Sequence, residues 1–127
     1  MKNFLSLSLI FLLNMVYSQN IQSPSKKISV DFKLTASGQP SYSVNYNNKP
    51  VIFESTLGIK LKDKPALDVN FTIDNVKNSS FNESWKPVLG EQATIVNHYN
   101  ELIIALIQKE THIKMNLIFR VFDEGVA

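Results

Sequence analysis

Asn100-Glu-Leu-Ile-Ile-Ala-Leu-Ile-Gln-Lys-Glu-Thr-His-Ile-Lys-Met-Asn-Leu-Ile-Phe-Arg-Val-Phe122 is the stretch that decides the fold. Its first part carries six consecutive apolar residues, Leu102 to Ile107, too few to cross a bilayer and rich in β-branched side chains. They are expected to form a strand buried on both faces. The second part sets Ile113, Met115, Leu117, Phe119 and Val121 at strict period two, which turns five apolar side chains one way and Lys114, Asn116 and Arg120 the other. With the polar pair Glu110 and Thr111 between them, an antiparallel hairpin is the shortest way to pair both backbones.

Working outward, the same period recurs upstream. Ile28, Val30, Phe32 and Leu34 alternate with Ser29, Asp31 and Lys33, predicting a half-buried first strand after the breaker Ser23-Pro-Ser25. Ser37-Gly-Gln-Pro40 has turn chemistry, and Tyr42, Val44 and Tyr46 resume the alternation. Asn47 and Asn48 tolerate positive φ, which predicts a two-residue type I′ turn, with Val51 and Phe53 on the returning strand. Leu57, Ile59 and Leu61 predict a further strand before Asp63-Lys-Pro65 interrupts, and Val69, Phe71 and Ile73 begin another. Between Asn78 and Glu91 the alternation fails, and the segment reads as an ordered loop. About seven short strands at a spacing of roughly ten residues, with no helical period, point to an all-β antiparallel sandwich.

The N-terminus reads as a secretory signal peptide: Lys2, then the mainly apolar Phe4 to Val16, then Val16-Tyr-Ser18 before Gln19, with cleavage expected after Ser18. Removing residues 1–18 takes away Lys2 and lowers the formal charge from +2 to +1. A balance so near zero gives no electrostatic ground for nucleic acid or an anionic membrane as partner. Lys60, Lys62 and Lys64 alternate along one segment and read as a solvated edge. The chain has no cysteine, so burial rather than disulfides must hold an exported domain.

No reaction is legible in the residues. His98 and His112 lie fourteen positions apart without metal-ligand spacing, and no serine sits in a nucleophile elbow. The glycines, Gly38, Gly58, Gly90 and Gly125, are too scattered for a phosphate loop. The pairs Glu83 with Glu91 and Asp123 with Glu124 read as exposed loop carboxylates. Trp85 is expected to cap one end of the core, with a sugar-stacking platform as the functional alternative.

Several motifs nonetheless occur in one order: Gln22-Ser-Pro-Ser-Lys-Lys-Ile-Ser-Val30, Gly38-Gln-Pro40, Tyr46-Asn-Asn-Lys-Pro-Val51, Ser84-Trp-Lys-Pro-Val-Leu-Gly-Glu91, Asn97-His-Tyr-Asn-Glu-Leu102 and Phe119-Arg-Val-Phe-Asp-Glu-Gly125. Together they resemble the N-terminal domain of glycoside hydrolase family 97, over nearly all of residues 19–127. Leu89 departs from the motif, where an aromatic is typical, and removes a stacking side chain from that loop.

The resemblance implies a secreted or periplasmic bacterial α-glycosidase acting on α-glucosides or α-galactosides with calcium. Its N-terminal β-sandwich would pack on a catalytic (β/α)8 barrel that carries the acid, the base or nucleophile and most of the calcium-binding glutamates. On that basis residues 19–127 are the first part of the sandwich, with no catalytic, cofactor-binding or metal-binding residue assigned within them. Trp85, Glu91, His98 and Tyr99 are the candidates for contact with an α-linked oligosaccharide or with the barrel. Strands expected to pair with residues 113–122 would lie further on in the parent protein, so residues 19–127 by themselves are expected to be poorly soluble or to self-associate. A stand-alone exported β-sandwich that binds carbohydrate or protein is the alternative.

Overall fold

The computed structural model describes residues 18–91 and 94–127. The proposed signal peptide falls almost wholly outside the described residues. Those described form seven strands: β1 (Ser18–Gln22), β2 (Ile28–Leu34), β3 (Pro40–Tyr46), β4 (Lys49–Thr56), β5 (Phe71–Trp85), β6 (Ile95–Gln108) and β7 (Lys114–Phe122). Each pairs antiparallel with its neighbour in sequence, giving one sheet in the order β1-β2-β3-β4 and a second in the order β5-β6-β7. The two sheets pack face to face as a sandwich, β1 over β6 and β2 over β7.

The core lies where the predicted period-two faces meet. Val30 and Phe32 from the first sheet and Leu102, Ile104, Leu106 and Val121 from the second are fully buried. The Phe32 and Phe119 rings sit 6.1 Å apart across the gap, and Tyr42 packs on the same Phe119 at 6.0 Å. Each such apolar side chain contributes about 1.5–3 kcal/mol by leaving water. Two polar ties join the layers at one end: the Asn100 side-chain amide donates to the Gln22 carbonyl at 2.7 Å, and the Ser25 backbone N–H donates to Asp123 at 2.8 Å.

The turns follow their residue chemistry. Asn47 and Asn48 both take positive φ, 47° and 61°, as the type I′ turn between β3 and β4 requires. Gly38 has φ 72° and lies so close to β5 that a Cβ there would stand 2.8 Å from the Phe71 backbone N and O. Only glycine satisfies both demands. Buried Gln108 anchors the long connection between β4 and β5, its amide donating to the carbonyls of Ala66 at 2.9 Å and Val69 at 3.1 Å.

Four expectations are corrected. Residues 78–85 are not loop but the outer half of β5, paired with β6 as far as Trp85 opposite Ile95. A register shift between Ile73 and Asn75 breaks the alternation at that point, and the half beyond it projects past the first sheet, so neither face needs apolar residues. Leu57 to Leu61 forms no strand. Ile59 makes a single bridge to Leu67, and Gly58 packs against Asp68 in a tight loop that leaves no room for a ladder. A strand precedes the expected first one: Ser18–Gln22 pairs with β2, its polar residues acceptable because an edge strand shows one side to water. Finally, only the inner half of β6 is buried on the core face, from Leu102 to Gln108; Ile103, Ala105 and Ile107 on the other face are half-buried.

Candidate functional site

The outward face of the second sheet gathers the side chains of greatest functional interest. Pairing sets Phe81 opposite Tyr99 and Tyr99 opposite Phe122, so three aromatic rings stand side by side across three strands. The Phe81 and Tyr99 rings stack at 4.9 Å with 22° between planes, and Tyr99 meets Phe122 at 4.9 Å and 44°. On the neighbouring rung the Arg120 Nε donates to Glu101 at 2.7 Å, and its guanidinium carbon lies 5.5 Å from the Tyr99 ring centroid. The ion pair holds the Arg120 pKa above the usual guanidinium value, chiefly through the hydrogen bond to Glu101. Glu101 is 8% exposed at its side chain and Arg120 49%, so the carboxylate is shielded beneath the guanidinium.

Two rungs further along the same face stands Trp85, opposite Ile95 near the hairpin tip and half exposed. It caps no core, because the first sheet ends short of it; the buried cluster does not include it. Val88 and Leu89 at the tip are almost fully exposed, and Glu91 lies exposed in the same connection. His98 points to the opposite face, across from Asn82, where it is exposed. Its charge helps to lower the Asp123 pKa, an effect led by hydrogen bonds from the Ser25 side chain and backbone. The four sequence candidates therefore divide: Tyr99 and Trp85 share a face, His98 lies behind it, and Glu91 sits at the tip.

Phe81, Phe122, Arg120 and Glu101 complete the cluster and were not singled out by sequence reasoning. Phe122, Arg120 and Glu101 could have been found by extending the β6–β7 pairing outward; Phe81 could not, since its segment reads as loop. Among the described residues no three His, Asp or Glu converge on a point where a metal ion would sit. The described residues thus offer no carboxylate or histidine cluster that fits calcium, and no chemical step is derived through that ion. A cleft of about 1000 Å³ between the β1 and β5 edges has Asp74 and Lys109 as its only ionisable lining residues.

Comparison with known proteins settles the family. The glycosyl hydrolase 97 N-terminal domain matches residues 21–127. The chain belongs to this family. A glycoside hydrolase family 97 enzyme from Pseudoalteromonas sp. strain K8, solved with panose and with acarbose, is 31% identical with a TM-score of 0.79. In both complexes the match covers 85% of this chain and 16% of the other. A β-arabinopyranosidase shares the fold, with a TM-score of 0.72 at 23% identity over 83% of this chain and 16% of that one. The family 97 N-terminal domain described here therefore spans about 16% of the length of the enzymes it matches.

Proposed function

We propose that this family 97 N-terminal domain is the non-catalytic opening portion of an exported α-glycosidase, an α-glucosidase or α-galactosidase. It braces the catalytic (β/α)8 barrel of the same polypeptide and shapes one wall of its substrate cleft. The observation that carries this reading is the outward face of β5-β6-β7. There a stacked aromatic row continues toward half-exposed Trp85 and Ile118, while Glu101 is engaged by Arg120. Such a face is built to be covered by another layer. The complexes of the Pseudoalteromonas enzyme with panose and acarbose support an α-linked oligosaccharide as the ligand of the parent enzyme.

In this role the domain contributes rigidity and position. A cleft wall held by a packed β-layer keeps a substrate-contacting side chain within the fraction of an ångström that transition-state binding demands. The chemistry, including any supplied by calcium, belongs to the barrel. Export follows from the signal peptide of residues 1–18.

Hydrolysis of nitrophenyl α-glucoside in the presence of calcium tests the proposal. The intact parent enzyme should turn over, and this chain alone should not. Turnover by the chain alone would overturn the scaffold role. Saturable binding of panose to the isolated chain would favour the stand-alone binding module instead.

A further inference from the structure

Among the described residues β5 is paired on one side only. The phase of the ladder fixes what its other edge presents. The Gln108 N–H donates to the Ile113 carbonyl on the β7 side, so even-numbered residues of β6 bond to β7 and odd-numbered ones to β5. After the register shift, the β5 partners of those odd residues are Asn75, Lys77, Ser79, Phe81 and Glu83. The N–H and C=O groups of Val76, Asn78, Ser80, Asn82 and Ser84 therefore point away from the sheet. Only the start of the edge is capped, where the Phe71 N–H donates to the Gly38 carbonyl at 2.9 Å. From Val76 to Ser84 it has no proline, glycine or bulge, whereas edge strand β4 carries Pro50 and two register irregularities of the kind that deter pairing.

This edge is complementary to itself. With a second copy laid antiparallel so that Ser80 meets its own mate, Lys77 falls opposite the partner's Glu83 and Glu83 opposite the partner's Lys77. Both side chains are exposed and lie on the outward face. Opposite charges on directly facing strand residues are stabilising, and like charges are not. Ser80 is also in the free phase, so it and its mate exchange both backbone hydrogen bonds, as do Asn78 and the partner's Asn82. A shift of two residues in either direction keeps the hydrogen-bond phase but sets Lys77 against the partner's Phe81 or the partner's Trp85. Charge thus selects one register.

The same register brings Trp85 opposite the partner's Asn75 and carries each hairpin tip past it. There opens the cleft of about 1000 Å³ between the β1 and β5 edges, with apolar walls at Leu34, Ala36, Ile73 and Val76. Val88 and Leu89, 98% and 91% exposed at the tip, are the side chains placed to enter it.

We infer that two copies of the parent enzyme pair through β5 as a two-fold dimer centred on Ser80, each Lys77 facing the partner's Glu83 and each hairpin tip seated in the cleft of the other copy. The second sheets of the two copies then join as one continuous sheet. A self-complementary contact of this kind closes after two copies, so it gives a dimer rather than a filament. The inference goes beyond the proposed function: it concerns a strand edge and a hairpin tip, and leaves the outward aromatic face to the barrel.

A single cysteine in the intact parent enzyme tests the axis. Ser80→Cys places two Cα atoms about 5.5 Å apart across the axis, within disulfide reach. Oxidation should give a cross-linked dimer that the unsubstituted enzyme does not form. Ser84→Cys, exposed on the same face, lies opposite the partner's Val76 and about 27 Å from its own mate, so it should stay unlinked. No link through Ser80→Cys, or equal linking through both, would overturn the inference.

Charge exchange tests the register without oxidation. Measured by sedimentation of the parent enzyme, Lys77→Glu and Glu83→Lys should each weaken the dimer about 10-fold, because each sets like charges face to face twice over. The variant carrying both substitutions restores opposite charges and should recover the dimer. Single substitutions without effect, or a double variant no better than either single one, would overturn the inference. So would an enzyme that is monomeric at micromolar concentration, the result expected if another strand of the same polypeptide occupies the edge. The α-glucoside assay separates this claim from the proposed activity: a dimer without turnover would sink the activity and leave the interface standing, and turnover by a monomer would do the reverse.

Discussion

The two halves of the β5–β6 hairpin are the same pair of strands in two environments. In the inner half, Leu102, Ile104 and Leu106 face the first sheet and are fully buried. Six residues before Leu102, on the same face of the same strand, Val96 is 65% exposed. The boundary is Asn100, whose amide reaches the Gln22 carbonyl and whose carbonyl oxygen accepts from the Ser80 hydroxyl. Beyond it no strand of the first sheet faces the hairpin. Strand pairing therefore persists without a core beneath it, and what the second sheet lacks behind, it partly recovers in front through the Phe81–Tyr99–Phe122 row.

This contrast can be broken or sharpened by substitution, beginning with the largest expected effect. Leu102→Ala leaves a cavity between the sheets and should destabilise the domain by about 2–5 kcal/mol in urea unfolding; a loss below about 1 kcal/mol would mean that the inner half is not a packed core. Tyr99→Leu keeps an apolar side chain but removes ring stacking and the contact with Arg120. It should cost about 1 kcal/mol, and more if the outward face is covered in the intact enzyme. Val96→Ala should change stability by no more than about 0.5 kcal/mol. A cost like that of Leu102→Ala would show that the outer half is buried by a neighbouring domain, and comparing the chain with its parent enzyme would locate that neighbour.

The smallest effect concerns the tie between the layers. The folded-state pKa of Asp123 is lowered, first by its hydrogen bonds from Ser25. A carboxylate with a depressed folded pKa adds stability that is fully present above its unfolded pKa, near 3.9 for aspartate, and is lost as pH falls through the lower folded value. The stability difference between the natural chain and Asp123→Asn should therefore be constant above about pH 5 and shrink toward zero below about pH 4. A difference that grows on acidification would contradict the assigned hydrogen bonds.

How much could be read in advance varied with how far each element depends on a distant partner. The β6–β7 hairpin and β2 were legible because period two survives wherever one face is buried and the other is wet. The Asn47–Asn48 turn was legible because asparagine accepts positive φ locally. Phe81 was not, since a register shift at Asp74 changes the phase of β5 and its outer half has no core to select apolar residues. The aromatic row was hidden for the same reason: Tyr99 was a candidate by motif, yet its neighbours emerge only from cross-strand pairing between residues as distant as Phe81 and Phe122.

The sequence by itself determined that this is an antiparallel β-protein, where its central hairpin runs and which turns reverse it. Side-chain alternation and backbone preference are local properties, and each residue carries them wherever it is placed. Only the tertiary structure decided how far β5 extends and that Trp85 stands clear of the core. Burial depends on how far the opposing layer reaches, and that reach is a property of two sheets together.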